Sequence, residues 1–158
     1  MTLAGRNDYV VSMLPPFTEG GVLPPGQHVA TWEEVSARFG STRRRRRLLD
    51  GLLRATTSLR AGGAIWVWLD GSFVTAKPDP EDFDGVWDPS MVDLDKVDPL
   101  LIDPDDMQNG RLKQKAKYGG ELLAGIEGGS GLPFQQFFQQ GPDGEVKGIV
   151  RLDLRTLP

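Results

Sequence analysis

Apolar residues recur at helical spacing in two segments of the first half of the chain. Thr31 and Glu34 have the spacing of a capping box, which opens a short helix that ends at Phe39. Ser41 or Thr42 then caps a longer helix that runs to about residue 60. The apolar face of this longer helix consists of Leu48, Leu52, Ala55 and Leu59.

Shorter apolar runs predict a small sheet. Residues 64–69 (AIWVWL) are continuously apolar and rich in β-branched and aromatic side chains, which favours a buried strand. Residues 83–87 and 146–154 are two further candidate strands, whereas residues 111–123 have the pattern of an amphipathic helix. Residues 133–140 predict a short helix with proline in its first turn. The order of these elements predicts an α/β or α+β class, with a small mixed sheet and flanking helices.

Composition divides the chain into a lead-in and one domain. Residues 1–26 are rich in proline and glycine and predict an extended, irregular segment, while residues 27–158 fit a single domain. The chain has no cysteine and one histidine, His28, which excludes disulfides, zinc–thiolate sites and a multi-histidine metal site within one chain. Without a secretory signal or an apolar run of the ~20 residues that span a bilayer, we expect a cytoplasmic protein with no membrane partner.

Charge is distributed unevenly along the chain. Residues 79–106 contain eleven Asp or Glu against one Lys, a net charge of −10, so a total of −4 leaves +6 for the remainder. Such a separation suits a protein that binds cations on one side and anions on the other. The plainer interpretation is a solvated acidic loop.

The candidate chemistry lies between residues 69 and 84. A buried strand delivers the chain to Gly71 and Ser72, where the absence of a side chain and the exposed backbone N–H groups suit a phosphate. Asp82 and Asp84 are separated by one residue, so a strand would place both carboxylates on one face, as a hard divalent cation requires. Lys77, on the intervening loop, is a candidate for neutralising a terminal phosphate.

These residues resemble a known signature. The Gly-Ser turn, the spacer and the Asp-x-Asp pair are similar to the motif of the nucleotidyltransferase superfamily, which includes DNA polymerase beta and the minimal nucleotidyltransferases. More closely, LPPGQHVATWEEVSARFG, LDGSFVTAKPDPEDFD and KGIVRLDL resemble an uncharacterised bacterial family with this fold, known only as a domain of unknown function. This resemblance covers residues 23–154.

The resemblance implies a metal-dependent enzyme that moves a nucleoside monophosphate from an NTP to a hydroxyl on protein, RNA or a small molecule. Mg²⁺, or Mn²⁺, would be held by Asp82, Asp84 and a third carboxylate from a later strand, for which Asp153 is the natural match. In the alternative interpretation, Asp153 is a strand-end residue that forms a salt bridge with Arg151 or Arg155.

Two other functions remain open at this point. The first is a catalytically inactive relative that binds a partner protein, as in toxin–antitoxin or phage-defence systems. The second is a nucleic-acid binder that uses the five consecutive cations Arg43, Arg44, Arg45, Arg46 and Arg47. Arg44 or Arg45 falls in line with the leucine face of the long helix, and intramolecular or solvated arginines are the favoured interpretation.

Overall fold

The computed structural model describes residues 14–125 and 147–158. The α-helices in this part of the chain are α1 (Trp32–Phe39), α2 (Arg43–Ala61), α3 (Pro104–Gln108) and α4 (Leu112–Tyr118). The strands are β1 (Gln27–Ala30), β2 (Trp66–Asp70), β3 (Phe83–Trp87), β4 (Gly120–Ala124) and β5 (Ile149–Asp153). Short 3₁₀ turns cover Ser72–Val74, Leu94–Lys96, Pro99–Ile102 and Leu154–Thr156.

The five described strands form one mixed sheet in the order β1-β5-β2-β3-β4. The outer pairs β1–β5 and β3–β4 are parallel, whereas β2 is antiparallel to both of its neighbours. The α+β class and the small mixed sheet expected from the sequence are therefore confirmed. Over the residues described, no helix combines the length and apolar character needed to cross a membrane.

The main core lies between one face of the sheet and the two longest helices. Strand periodicity turns alternate residues of β2 towards the helices, and Val67 and Leu69 are both fully buried there. Helix α2 contributes its predicted leucine face, of which Leu52 and Leu59 are fully buried. Thr42 caps α2 by accepting a hydrogen bond from the backbone N–H of Arg45.

Helix α2 crosses α4 at a glycine in its middle. A Cβ atom at Gly51 would lie 1.6 Å from the carbonyl oxygen of Tyr118, so no larger residue fits at the crossing. Glycine is required for the two helices to approach this closely, although glycine inside a helix costs about 1 kcal/mol relative to alanine.

The helix predicted over residues 111–123 is wrong in its second half. Helix α4 ends at Tyr118 because Gly119 adopts a left-handed conformation (φ 88°) that redirects the chain into strand β4. A Cβ atom at Gly120 would lie 2.3 Å from the carbonyl oxygen of Phe83, which shows how closely β4 joins β3. The side chain of Gln114 then accepts a hydrogen bond from the Leu122 N–H at 2.6 Å, which fastens β4 back onto α4.

The described part of the lead-in, residues 14–26, contains no helix or strand but packs against the domain. Leu14 and Leu23 are buried in the core, and the Arg38 guanidinium donates to the carbonyl oxygens of Leu14 and Pro15. Strand β1, which begins at residue 27, was not predicted. The helix predicted over residues 133–140 lies outside the described residues.

The acidic segment folds onto the protein. Val97 and Leu101 are buried, and the Tyr118 hydroxyl donates a hydrogen bond to the carboxylate of Asp98. The buried Asp106 carboxylate accepts the backbone N–H groups of Lys113 and Gln114, at 2.8 and 3.0 Å, and so satisfies the start of α4. Much of residues 79–106 is therefore structural scaffold.

Candidate functional site

Three carboxylates lie side by side across the sheet. Asp70, the last residue of β2, is the register partner of Asp84 in β3, and Asp84 is the partner of Glu121 in β4. Directly paired residues point to the same face of a sheet, so all three project from the face opposite the main core. Asp82 precedes β3 by one residue and lies close enough to Asp84 to perturb its ionisation.

The Gly-Ser turn closes tightly over this row. Gly71 has φ 77° and ψ −168°, a conformation that favours glycine strongly, and a Cβ atom there would lie 2.6 Å from Oδ2 of Asp84. The chain then makes one 3₁₀ turn over Ser72–Val74. The structure thus brings Gly71, Ser72, Asp82 and Asp84 together.

Two of the carboxylates, Asp84 and Asp70, have raised pKa values. Burial, followed by the negative charges of Asp82, Glu121 and Asp70, raises the pKa of Asp84 to about 7. Burial also raises the pKa of Asp70, although the Gly71 N–H and the Lys147 ammonium partly oppose this rise. The site therefore holds more negative charge than its surroundings neutralise.

A lysine lies at each end of the carboxylate row. Lys147 Nζ is 3.9 Å from Oδ1 of Asp70, and Lys115 Nζ is 3.7 Å from Oε2 of Glu121. The Oδ1 atom of Asp70 is buried without a hydrogen-bond partner. Four carboxylates and two ammonium groups leave the fully ionised cluster with a charge of −2, which one divalent cation would balance.

Comparison with known proteins places the chain in a family. The model of a family of unknown function, DUF6932, matches residues 15–153, which contain the Gly-Ser turn and every carboxylate described above. The chain belongs to DUF6932. No curated protein and no solved structure matches it.

The donor chemistry in this DUF6932 protein fits Mg²⁺. Within residues 14–125 and 147–158, no group of three or more carboxylate or imidazole side chains is arranged to enclose a metal ion. Mg²⁺ does not need such a cage, because it is commonly held by one or two carboxylates together with substrate phosphates and water. Asp82 and Asp84 would be the residues to hold such an ion, beside Oδ1 of Asp70, which has no hydrogen-bond partner among the described residues.

The position expected for Asp153 in the DUF6932 chain is wrong. Asp153 projects from the same sheet face as Asp84, but the two lie on strands on opposite sides of β2. Asp153 is paired with Trp66, which is about 13 Å along β2 from Asp70, the partner of Asp84. Its carboxylate instead accepts two hydrogen bonds from the Arg155 guanidinium, at 2.9 and 3.0 Å. The salt-bridge alternative is what the structure shows, and Arg155 holds the pKa of Asp153 below its usual range.

Among the described residues, the side chain of Lys77 makes no contact that supports its predicted role at a phosphate. Its side chain is exposed, while its backbone carbonyl oxygen accepts hydrogen bonds from the buried Arg45. The contact of Lys77 with a phosphate therefore stays a prediction.

Three charged residues of the site were missed by the sequence reasoning: Asp70, Glu121 and Lys147. The sequence made Lys115 one of three lysines that could reach a phosphate, although their spacing favoured the solvated face of a helix. Asp70 could have been found, because it ends the apolar run directly before the Gly-Ser turn. Glu121 was not recognised because residues 111–123 were interpreted as one helix, so Glu121 was not expected to lie on a strand beside Asp84. Lys147 gave no sequence signal, since it meets the row only through tertiary structure.

Proposed function

We propose that this DUF6932 protein is a metal-dependent nucleotidyltransferase that uses an NTP and an acceptor hydroxyl. The observation that supports the proposal is the closure of the Gly71 turn over Asp84, at the centre of the carboxylate row. A glycine turn beside paired carboxylates places a phosphate-binding backbone next to ligands for a hard cation. Lys115 and Lys147 add positive charge within the same cluster.

In the proposed reaction, the oxygen of an acceptor hydroxyl forms a bond to the α-phosphorus of the NTP. The bond from that phosphorus to the bridging oxygen breaks, and pyrophosphate leaves with the electron pair. The hydroxyl proton passes to a carboxylate of the row, a role that Glu121 is placed to take instead of Asp153. Ser72 would donate a hydrogen bond to a terminal phosphate, and Lys77 remains a candidate for neutralising it.

Bound Mg²⁺, or Mn²⁺, would supply positive charge that stabilises the negative charge on the phosphate oxygens during transfer. The chain itself orients the triphosphate through the turn and keeps the carboxylates together by strand pairing. Because these contributions are mostly positional and electrostatic, loss of the carboxylates is expected to remove transfer without unfolding the domain.

The proposal is tested by incubating the protein with each α-labelled NTP, Mg²⁺ or Mn²⁺, and a cell extract as acceptor source. The variant Asp82→Asn/Asp84→Asn is expected to lose all transfer of label. Asp93→Asn/Asp95→Asn is the matched control, because it removes an exposed Asp-x-Asp pair with the same spacing. Label on protein or RNA that survives in the control would identify both the nucleotide and the acceptor class.

A negative result in this assay would also be informative. If no nucleotide is transferred and none binds in a metal-dependent manner, the enzyme proposal fails. The catalytically inactive interaction module, in a toxin–antitoxin or phage-defence pair, then becomes the better proposal. Metal-dependent binding without transfer would support the site and show that the extract lacks the acceptor.

A second candidate function, nucleic-acid binding, is favoured by one observation. Arg43, Arg46, Arg47 and Arg54 line an open groove along α2, where Asp50 is the one acidic lining residue and pairs with Arg54 at 3.5 Å. Within the described chain, Arg43 and Arg47 have no acidic side-chain partner. Unpaired guanidinium groups along one helix face suit a chain of phosphates.

This second candidate predicts salt-sensitive binding of RNA or DNA that persists in Asp82→Asn/Asp84→Asn. Arg43→Gln/Arg47→Gln is expected to weaken that binding, and a filter-binding titration at two salt concentrations measures the change. Binding that is insensitive to salt or to these arginines would exclude the groove as a nucleic-acid surface.

A further inference from the structure

One arginine of the basic run points inward. Arg45 is 2% exposed, although its neighbours in the sequence are exposed. Its Nε and two terminal nitrogens donate hydrogen bonds to five backbone carbonyl oxygens. The acceptors are Phe39 (3.2 Å), Ser72 (3.4 Å), Phe73 (2.7 Å), Thr75 (2.6 Å) and Lys77 (2.6 and 3.1 Å).

Four of these acceptors belong to one loop, residues 72–77, which directly follows Gly71. The other side-chain hydrogen bonds described for this loop both involve the Thr75 hydroxyl, which donates to the Ser72 carbonyl at 2.7 Å and accepts from the Lys77 N–H at 3.2 Å. The loop is also held by backbone hydrogen bonds, such as that from the Ala76 N–H to the Gly21 carbonyl at 2.8 Å, and by the buried side chains of Phe73 and Val74. Arg45 therefore makes most of the side-chain hydrogen bonds that define the path of this loop.

Burial of the Arg45 guanidinium is costly because no carboxylate is bonded to it. Burial lowers the pKa of Arg45, and the charge of Asp79 opposes this only in part. A planar group with five N–H donors can satisfy several carbonyl oxygens at once, which a lysine ammonium on a flexible stem cannot do. The guanidinium carbon also lies over the Phe73 ring, 5.4 Å from its centroid, which adds a cation–π contact.

We infer that Arg45 is a positioning residue that holds the loop of residues 72–77, and through it the Gly71–Ser72 turn, in the conformation that receives a phosphate. The link to phosphate rests on the proposed function. The link to the loop conformation rests on the hydrogen bonds alone. Arg45 touches no carboxylate of the row, so it acts on the site only through the backbone.

The first test uses the unaltered protein and needs no ligand. Native-state hydrogen exchange is measured at the amides of Thr75 and Ala76, both of which donate hydrogen bonds within the loop or to Gly21. If Arg45 holds the loop, these amides exchange about as slowly as those in the middle of α2. Exchange at the rate of a freely opening loop would overturn the inference.

The second test compares Arg45→Lys with Arg44→Lys, an exposed neighbour that does not line the α2 groove. Arg45→Lys keeps the charge but loses most of the donors, so we expect exchange at Thr75 and Ala76 to accelerate about tenfold or more. Amides in β2 and β5 are expected to change little. Equal acceleration throughout the sheet would reduce Arg45 to a general stabilising residue and overturn the inference.

Nucleotide binding separates this inference from the proposed function. Arg45→Lys is expected to raise the Kd for an NTP with Mg²⁺ about tenfold, whereas Arg44→Lys leaves it unchanged. An unaltered Kd in a variant with a loosened loop would overturn the positioning role. Failure of the unaltered protein to bind any NTP would instead refute the proposed function, while the exchange data would still decide whether Arg45 holds the loop.

Discussion

Gly71 approaches Asp84 so closely that a Cβ atom on residue 71 would lie 2.6 Å from the carboxylate oxygen Oδ2. The two residues belong to neighbouring strand ends, since Asp84 is paired with Asp70, the residue directly before Gly71. The turn and the carboxylate row therefore form a single unit, in which a side chain at residue 71 would have to displace the Asp84 carboxylate.

Gly71→Ala is expected to abolish metal-dependent nucleotide binding and to destabilise the protein by about 3 kcal/mol. Gly110→Ala is the matched control: Gly110 also has a positive φ (72°), but nothing lies within 4 Å of its would-be Cβ atom. The control is expected to cost only the strain of the left-handed backbone, about 1–2 kcal/mol. Urea unfolding measures the stability of both variants. Equal losses of stability would show that the close contact between residue 71 and Asp84 does not contribute to the effect of Gly71→Ala.

Asp84→Asn is expected to change the pH dependence of stability in metal-free protein. The folded pKa of about 7 exceeds the unfolded value of about 4, so the contribution of Asp84 is fully present below pH 4 and is lost as the pH rises through 7. Asparagine removes this loss. Because the carboxylate is partly in water, we expect the variant to be more stable than the unaltered protein by about 1–2 kcal/mol at pH 8.

Urea unfolding at pH 4, 6 and 8 with EDTA present measures the change expected for Asp84→Asn. The stability difference between variant and unaltered protein should grow as the pH rises. Asp93→Asn, at an exposed carboxylate outside the row, is the control and should show no such trend. A difference that stays constant across the three pH values would contradict the raised pKa.

Local signals predicted the local elements well. The capping box at Thr31, the cap at Thr42 and the strand Phe83–Trp87 are all confirmed, because each depends on neighbouring residues alone. The boundary between α4 and β4 could not be predicted in this way. Residues 111–123 keep a helical pattern of apolar positions, but Gly119 ends the helix and the close packing of Gly120 on β3 makes the residues that follow a strand.

The third carboxylate was also difficult to place from the sequence. The resemblance implied a carboxylate from a later strand, for which Asp153 was the natural match, while β4 and its Glu121 were absent from the predicted sheet. The antiparallel register of β5 on β2 instead puts Asp153 opposite Trp66, at the other end of the strand. Register depends on contacts between distant segments, so no local pattern reports it.

Glu121→Gln and Asp153→Asn are expected to separate the two candidate third carboxylates. Glu121 is paired with Asp84, so its loss should weaken metal-dependent NTP binding about tenfold or more. Asp153→Asn should leave that binding unchanged, although it breaks the ion pair with Arg155 and can cost up to about 1 kcal/mol of stability. Isothermal titration with an NTP and Mg²⁺ measures both variants, and a larger loss in Asp153→Asn would reverse the assignment.

Asp98 is expected to contribute stability that depends on pH in the opposite sense to Asp84. Burial alone would raise the pKa of Asp98, but hydrogen bonds from Lys117, Tyr118 and the Leu100 N–H together outweigh burial and lower it. A folded pKa below the unfolded value means that the stabilisation is present above about pH 4 and is lost as the pH falls through the folded pKa.

Asp98→Asn is therefore expected to destabilise the protein by about 1 kcal/mol at pH 7, with the loss shrinking below pH 4. Asp95→Asn, at an exposed carboxylate three residues earlier, serves as the control and should have little effect. Urea unfolding at pH 7 and pH 3 provides the comparison. A loss of equal size at both pH values would mean that Asp98 stabilises the acidic segment through its shape and neutral hydrogen bonds, without help from its charge.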